Sequence, residues 1–156
     1  MSESEDLRKA VKQKAVALLA IRERSRSGLE KKLAECFEEA DADLIRSVLD
    51  ELAERKYQSD SRFARVRIMT RASRYGDRRL RTELRREGID DESIDEAFEE
   101  FKDTEIERAA ALWERKFGYI AEDDKERAKQ FRYLASRGFS FRTIEKVMRG
   151  KTEDDE

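Results

Sequence analysis

Leu80-Arg81-Thr82-Glu83-Leu84-Arg85-Arg86-Glu87-Gly88-Ile89 runs directly into Asp90-Asp91-Glu92-Ser93-Ile94, and these fifteen residues decide the fold. Leu80 and Leu84 stand four apart, on one face of a helix. Gly88 follows where a left-handed C-terminal cap would close that helix, since a residue without a Cβ enters this conformation at little cost. Asp90 or Asp91 can cap the next helix, whose apolar positions are Ile94, Ala97, Phe98 and Phe101. The same order returns further on. Leu134, Gly138, Ser140 and Ile144 repeat Leu84, Gly88, the Asp cap and Ile94. Upstream, Leu33 and Ile45 hold the equivalent places, with Cys36-Phe37 and a slightly longer connection where the later copies have Gly. Leu33, Leu84 and Leu134 are separated by 51 and 50 residues, and Ile45, Ile94 and Ile144 by 49 and 50. A period near 50 with three helices per copy is the signature of a helical repeat.

Working outward, the other helices fall into place. Leu7, Val11, Ala15 and Leu18 form the first stripe. Ser27-Gly28-Leu29-Glu30 fits a capping box before Leu29, Leu33 and Phe37. Asp41 or Asp43 caps a third helix with Leu44 or Ile45, then Val48, Leu49 and Leu52. Ser59 or Asp60 opens a fourth carrying Phe63, Val66 and Met69, and Gly76-Asp77 separates it from the Leu80 helix. The last copy reads Ile106, Ala110, Trp113 and Phe117, then Phe131, Leu134 and Ala135, then Ile144, Val147 and Met148, with Gly150 as the stop. The expected fold is all-α, with three tandem three-helix repeats of helix-turn-helix-like form at residues 7–56, 57–103 and 104–150. Residues 151–156 form an acidic frayed tail. Each copy has too few apolar residues to stand alone, so shared packing into an elongated, curved molecule is expected.

Composition agrees. The 156 residues include no Pro and six Gly, too few breakers for a sandwich or barrel. Charged residues make up 46 %, yet 35 bases nearly cancel 37 acids. No His and one Cys exclude a Ser-His-Asp triad, a Cys-His pair and a Cys/His zinc site. No glycine-rich phosphate loop occurs. The expectation is a cytoplasmic protein that is not an enzyme, with no catalytic, metal or cofactor residues. Acid runs such as Asp90-Asp91-Glu92 and Glu122-Asp123-Asp124 coincide with helix starts, where capping explains them better than magnesium. Trp113 and Phe139/Phe141 read as core and staple, Tyr57 with Phe63 as packing between the first two repeats, and Cys36 as a small buried or inert residue.

Charge alternates with the repeat. Residues 8–32 hold nine bases and two acids, and residues 35–54 eight acids and one base. Residues 62–86 hold ten Arg against two acids, and residues 90–107 ten acids against one base. The candidate partner-binding residues are Arg65, Arg67, Arg71, Arg74, Arg78, Arg79, Arg81, Arg85 and Arg86. Arg suits paired hydrogen bonds to phosphate or carboxylate and is favoured at interfaces. The competing reading is internal pairing with the acidic helices. Acidic third helices could not serve as DNA recognition helices, so any DNA contact falls to the first or second helix of a repeat.

These residues also resemble a known family, RecX, the regulatory proteins that modulate the RecA recombinase. The resemblance rests on Leu18-Leu19-Ala20-Ile21-Arg22-Glu23-Arg24-Ser25 with Leu29 and Lys32-Leu33. It continues in Val48-Leu49-Asp50-Glu51-Leu52, Tyr57 and Asp60-Ser61-Arg62-Phe63-Ala64, then in Tyr75-Gly76 and Leu80 to Ile89. Leu134-Ala135-Ser136-Arg137-Gly138-Phe139-Ser140 closes it. Residues 15–149 are covered. Departures are the missing Gly near Cys36, and Lys56 where Gly usually precedes the Tyr. The resemblance implies three three-helix units that bind RecA filaments and inhibit strand exchange, ATP hydrolysis and co-protease activity. It assigns no contact residue. Single- or double-stranded DNA is a further candidate partner, and the alternatives are a DNA-binding protein acting without RecA and a helical scaffold for another acidic partner.

Overall fold

A computed structural model describes residues 2–154, and the side chains of residues 2–150. Nine α-helices and no strand occur among the described residues: α1 (Glu3–Ile21), α2 (Arg26–Cys36), α3 (Ala42–Glu54), α4 (Asp60–Arg71), α5 (Asp77–Arg86), α6 (Asp91–Phe98), α7 (Glu105–Lys116), α8 (Asp124–Ser136) and α9 (Phe141–Asp154). A 3₁₀ turn, Glu99–Phe101, extends α6. The chain forms two compact units. The first runs through Val66 and takes in Arg85–Ala97. The second holds Arg67–Leu84 and the described residues from Phe98 onward.

In the first unit, α1, α2 and α3 pack on one another around Val11, Ala15, Leu18, Leu29, Leu33, Ile45, Val48, Leu49 and Leu52. In the second, α7, α8 and α9 enclose Ala109, Leu112, Trp113, Leu134, Phe139, Ile144 and Val147. The repeat-related positions are interior throughout: Leu33, Leu84, Leu134, Ile94 and Ile144 are fully buried, and Ile45 nearly so. Each such side chain contributes roughly 1.5–3 kcal/mol by leaving water. Among the buried polar residues, Gln130 lies deepest. Gln130 accepts from the Trp113 indole N–H at 3.0 Å and donates to the Tyr119 carbonyl at 3.1 Å, so its burial leaves no unpaired amide.

Helix ends follow local chemistry. Asp41 accepts from the Leu44 N–H, Asp90 from Ser93, Asp123 from Glu126 and Ser140 from Thr143. Gly88 and Gly138 adopt φ of +85° and +90°, the left-handed conformation the sequence required of them. Lys56 adopts φ +65° at the site where the family pattern has Gly.

Several expectations need correction. The cap of α2 is Ser25, not Ser27: its extended backbone lets Oγ accept from the Gly28 N–H, and the helix starts before the expected box. The buried face of α4 is Ala64 and Ile68, continued by Ala72 just past its end, which leaves Val66 and Met69 exposed. Two of the three are alanines, and a reading weighted to large apolar residues chose the wrong face. In α7 the buried residues are Ala109 and Leu112 beside Trp113, with Ile106 exposed. Tyr57 and Phe141 are exposed rather than packed away, although Phe141 meets Phe131 edge-on at 5.1 Å. Cys36 is exposed, not buried. Gly150 does not stop α9, which continues to Asp154, because one helical Gly costs only about 1 kcal/mol against Ala. The rest of the expected tail, residues 155 and 156, lies outside the described residues.

Candidate partner-binding surface

The turn between α4 and α5, residues 72–76, is built by glycine and held by arginine. The Gly76 N–H donates to the Arg137 carbonyl at 2.8 Å. A Cβ on Gly76 would stand 2.3 Å from the Gly138 carbonyl oxygen, and one on Gly138 would stand 2.3 Å from the Arg79 Cβ. Only two glycines let the α4–α5 and α8–α9 turns touch backbone to backbone. The carbonyls that leave α4 have no helical partner and need donors. Arg108 of α7 supplies them to Ala72 at 3.2 Å and Tyr75 at 3.0 Å, and pairs with the Asp77 carboxylate. Its side chain is only 11 % exposed. Arg115 donates to the Ser73 carbonyl at 2.8 Å, and Arg79 to that of Ser136 at 3.2 Å.

This clasp sets Tyr75 at the centre of a cationic cluster. The guanidinium carbons of Arg79 and Arg71 lie 4.3 and 4.5 Å from its ring centroid, with Arg137 at 5.4 Å and Arg74 at 5.7 Å. Arg137 also reaches the Tyr75 hydroxyl at 3.3 Å and lies 5.2 Å from the Tyr133 ring, which carries Lys116 at the same distance. Glu83 is the internal counter-ion. Arg71 grips it through Nε at 2.9 Å and Nη2 at 2.7 Å, and Arg79 lies 3.5 Å away. Burial would push the Glu83 carboxyl up, but the Arg71 hydrogen bonds and charge, aided by Arg79, hold it below the usual carboxylate range. The Glu83 hydrogen bonds in turn push the Arg71 guanidinium up.

Magnitudes show that the cluster carries a surplus of charge. Arg71 and Arg79 can be no more than about 9 Å apart, so at an effective dielectric of 20 they repel by about 2 kcal/mol before salt screening. A cation over an exposed ring recovers about 0.5–1 kcal/mol. The C-terminal ends of α4, α7 and α8 offer roughly half a negative charge each. With Glu83 and the opposing N-terminus of α5 included, five cations still leave roughly three positive charges unneutralised.

The sequence candidates divide accordingly. Arg71, Arg74 and Arg79 join the Tyr75 cluster. Arg81 instead lies 4.5 Å from the Phe98 ring. Arg78 is exposed and Arg67 partly so. In the first unit, Arg85 pairs with Asp91 at 2.9 Å, while Arg65 and Arg86 are exposed. Tyr75, Arg137, Tyr133 and Lys116 were not among the candidate partner-binding residues read from the sequence. A usable signal existed: Arg71, Tyr75 and Arg79 are spaced four and four, and Tyr133 and Arg137 again four. No group of three or more acids, Cys or His suited to a metal ion occurs among the described residues.

The helices and this surface define an all-α protein of three-helix domains with a preformed arginine cluster. Residues 59–97 match the family profile described as "RecX, second three-helix domain", and residues 103–148 that of "RecX, third three-helix domain". "Regulatory protein RecX" of Herminiimonas arsenicoxydans is 39 % identical over 150 residues, covering 96 % of this chain and 98 % of the relative. That of Chromobacterium violaceum is 38 % identical over 147 residues, covering 94 % of each. The fold is similar to a crystal structure of RecX from Lactobacillus salivarius, with a TM-score of 0.80 at 23 % identity over 94 % of this chain and 97 % of that one. The chain belongs to the RecX family of regulatory proteins. No helix among the described residues is long and apolar enough to cross a membrane.

Proposed function

We propose that the chain binds RecA nucleoprotein filaments and restrains RecA strand exchange, ATP hydrolysis and co-protease activity, acting in the cytoplasm by binding rather than catalysis. The observation that carries this reading is the Tyr75 cluster, a fixed cationic surface on a RecX-family chain whose net charge is only -2. Three tandem repeats at 7–56, 57–103 and 104–150 would present it, and the common burial of Leu33, Leu84 and Leu134 supports that division.

The test is RecA ATP hydrolysis on single-stranded DNA while the chain is titrated in. Hydrolysis is expected to fall at amounts well below one chain per RecA. No change up to equimolar amounts, with folded chain and cognate RecA, contradicts the proposal. Sequence alone would reverse Arg71, Arg74, Arg78 and Arg81 together. Arg71 is a poor choice, because Glu in its place would face Glu83 and disturb the fold. Arg74→Glu with Arg78→Glu alters exposed charges only, and is expected to weaken inhibition while leaving the helical circular dichroism unchanged. Tight binding to bare DNA that falls steeply with salt would favour the DNA-binding alternative.

A further inference from the structure

We propose that the Tyr75 cluster is a docking site for an acidic peptide segment, a run of Asp or Glu side chains on a protein partner. The inference rests on the regulatory reading above and names the chemistry of the contact. Two observations favour carboxylates over nucleic acid. First, the cluster already binds a carboxylate. Arg71 meets both oxygens of Glu83 at 2.9 and 2.7 Å in the two-point geometry that a planar guanidinium offers, with Arg79 beside it. Second, the aromatic rings are already engaged. Guanidinium groups lie 4.3 and 4.5 Å from the Tyr75 centroid, and Arg137 and Lys116 both lie over Tyr133. A strand of nucleic acid would therefore find phosphate contacts but no free ring for base stacking, which supplies about 1–3 kcal/mol per base in sites built for single strands. Exposed Arg74 and Lys116 and partly exposed Arg137 hold the surplus charge and would meet the incoming carboxylates. Glu83 occupies the place of one of them.

The site is prebuilt. The Gly76–Gly138 contact and the Arg108 clasp fix the turn that carries Tyr75, so little backbone ordering remains to oppose binding. The experiment measures fluorescence anisotropy of a labelled oligo-glutamate peptide, and of oligothymidylate of equal length, at one physiological ionic strength. The full chain is expected to bind the peptide. Arg74→Ala with Arg137→Ala is expected to weaken it at least about tenfold, the loss of two charge-assisted contacts. Arg132→Ala, exposed on α8 and outside the cluster, is expected to leave it unchanged. Glu83→Gln removes the internal competitor and is expected to tighten it. Unaltered peptide binding in the double variant overturns the proposal. So does tighter binding of oligothymidylate that the same two residues abolish. The same variants are read for RecA hydrolysis. Peptide binding lost with inhibition intact upholds the site and places the RecA contact elsewhere, inhibition lost with peptide binding intact rejects the site, and a parent chain that binds the peptide but leaves RecA hydrolysis unchanged rejects the regulatory reading alone.

Discussion

The first three helices and the Tyr75 cluster use the same residue types to opposite ends. In the first unit, bases and acids find each other. Glu51 of α3 takes Lys12 at 2.8 Å, Arg8 at 3.0 Å and Arg55 at 3.3 Å, Arg26 takes Asp50, and Arg46 takes Glu30. Here part of the alternating charge is cancelled pair by pair within the unit. In the second unit, several arginines converge on one tyrosine with Glu83 between two of them. Charge there is gathered rather than cancelled. Net charge per segment therefore does not locate an interaction surface. What locates it is whether the acids that could neutralise it are within reach.

Substitutions can separate the two designs. The largest effect is expected at Gly76→Ala, whose Cβ would strike the Gly138 backbone, with a cost above about 3 kcal/mol in thermal unfolding followed by Trp113 fluorescence. Gly28→Ala in the first unit meets only Ser25 Oγ at 3.0 Å and gains helix propensity, so its stability is expected to stay within about 1 kcal/mol of the parent. Equal losses at both sites would erase the distinction between a close backbone contact and an ordinary helix start. Arg108→Ala comes next. It strips donors from two carbonyls and a partner from Asp77, and is expected to cost about 2–3 kcal/mol. Arg8→Ala leaves Lys12 on Glu51 and is expected to cost under about 1 kcal/mol.

Acid separates the two regions in sign. Hydrogen bonds from Lys12 and Arg8 hold the Glu51 carboxyl down to about 2. Its contribution is present above the ordinary carboxylate range and is lost as pH falls toward 2. Burial pushes Glu105 of α7 up, with the Asp77 charge adding to it and the Ser140 N–H opposing. Its contribution is present when it is protonated and is lost as pH rises through its elevated value. Glu51→Gln is therefore expected to flatten the acid loss of stability in amide exchange of α1–α3, and Glu105→Gln to raise stability near neutral pH. The reverse pattern would contradict both assignments. The smallest effect is expected at Lys56→Gly, which relieves a positive φ and should stabilise by about 1 kcal/mol in denaturant unfolding.

The fold was legible because the repeat is written in residues with single physical roles. Leu33, Leu84 and Leu134 are interior, and Gly88 and Gly138 carry the positive φ that ends their helices. A face with a single large apolar residue was not legible: Ile68 buries between Ala64 and Ala72 where Val66 and Met69 looked the better choice. The arginine surface was half legible. Its density showed in residues 62–86, but Arg137 lies 62 residues beyond Tyr75, and its arrival depends on the Gly76–Gly138 contact that no local pattern announces. The internal pairing of Arg71 with Glu83 was equally hidden, since either could have faced solvent.

The central claim is that the clasped arginine cluster, not the paired charges of the first helices, meets the partner. Amide hydrogen exchange of the chain alone and on RecA filaments tests it most directly. The account expects new protection across the α4–α5 turn and the end of α8, residues 71–81 and 133–138, with α1–α3 unchanged. Protection confined to α1–α3, with those two segments exchanging as in the free chain, would contradict it.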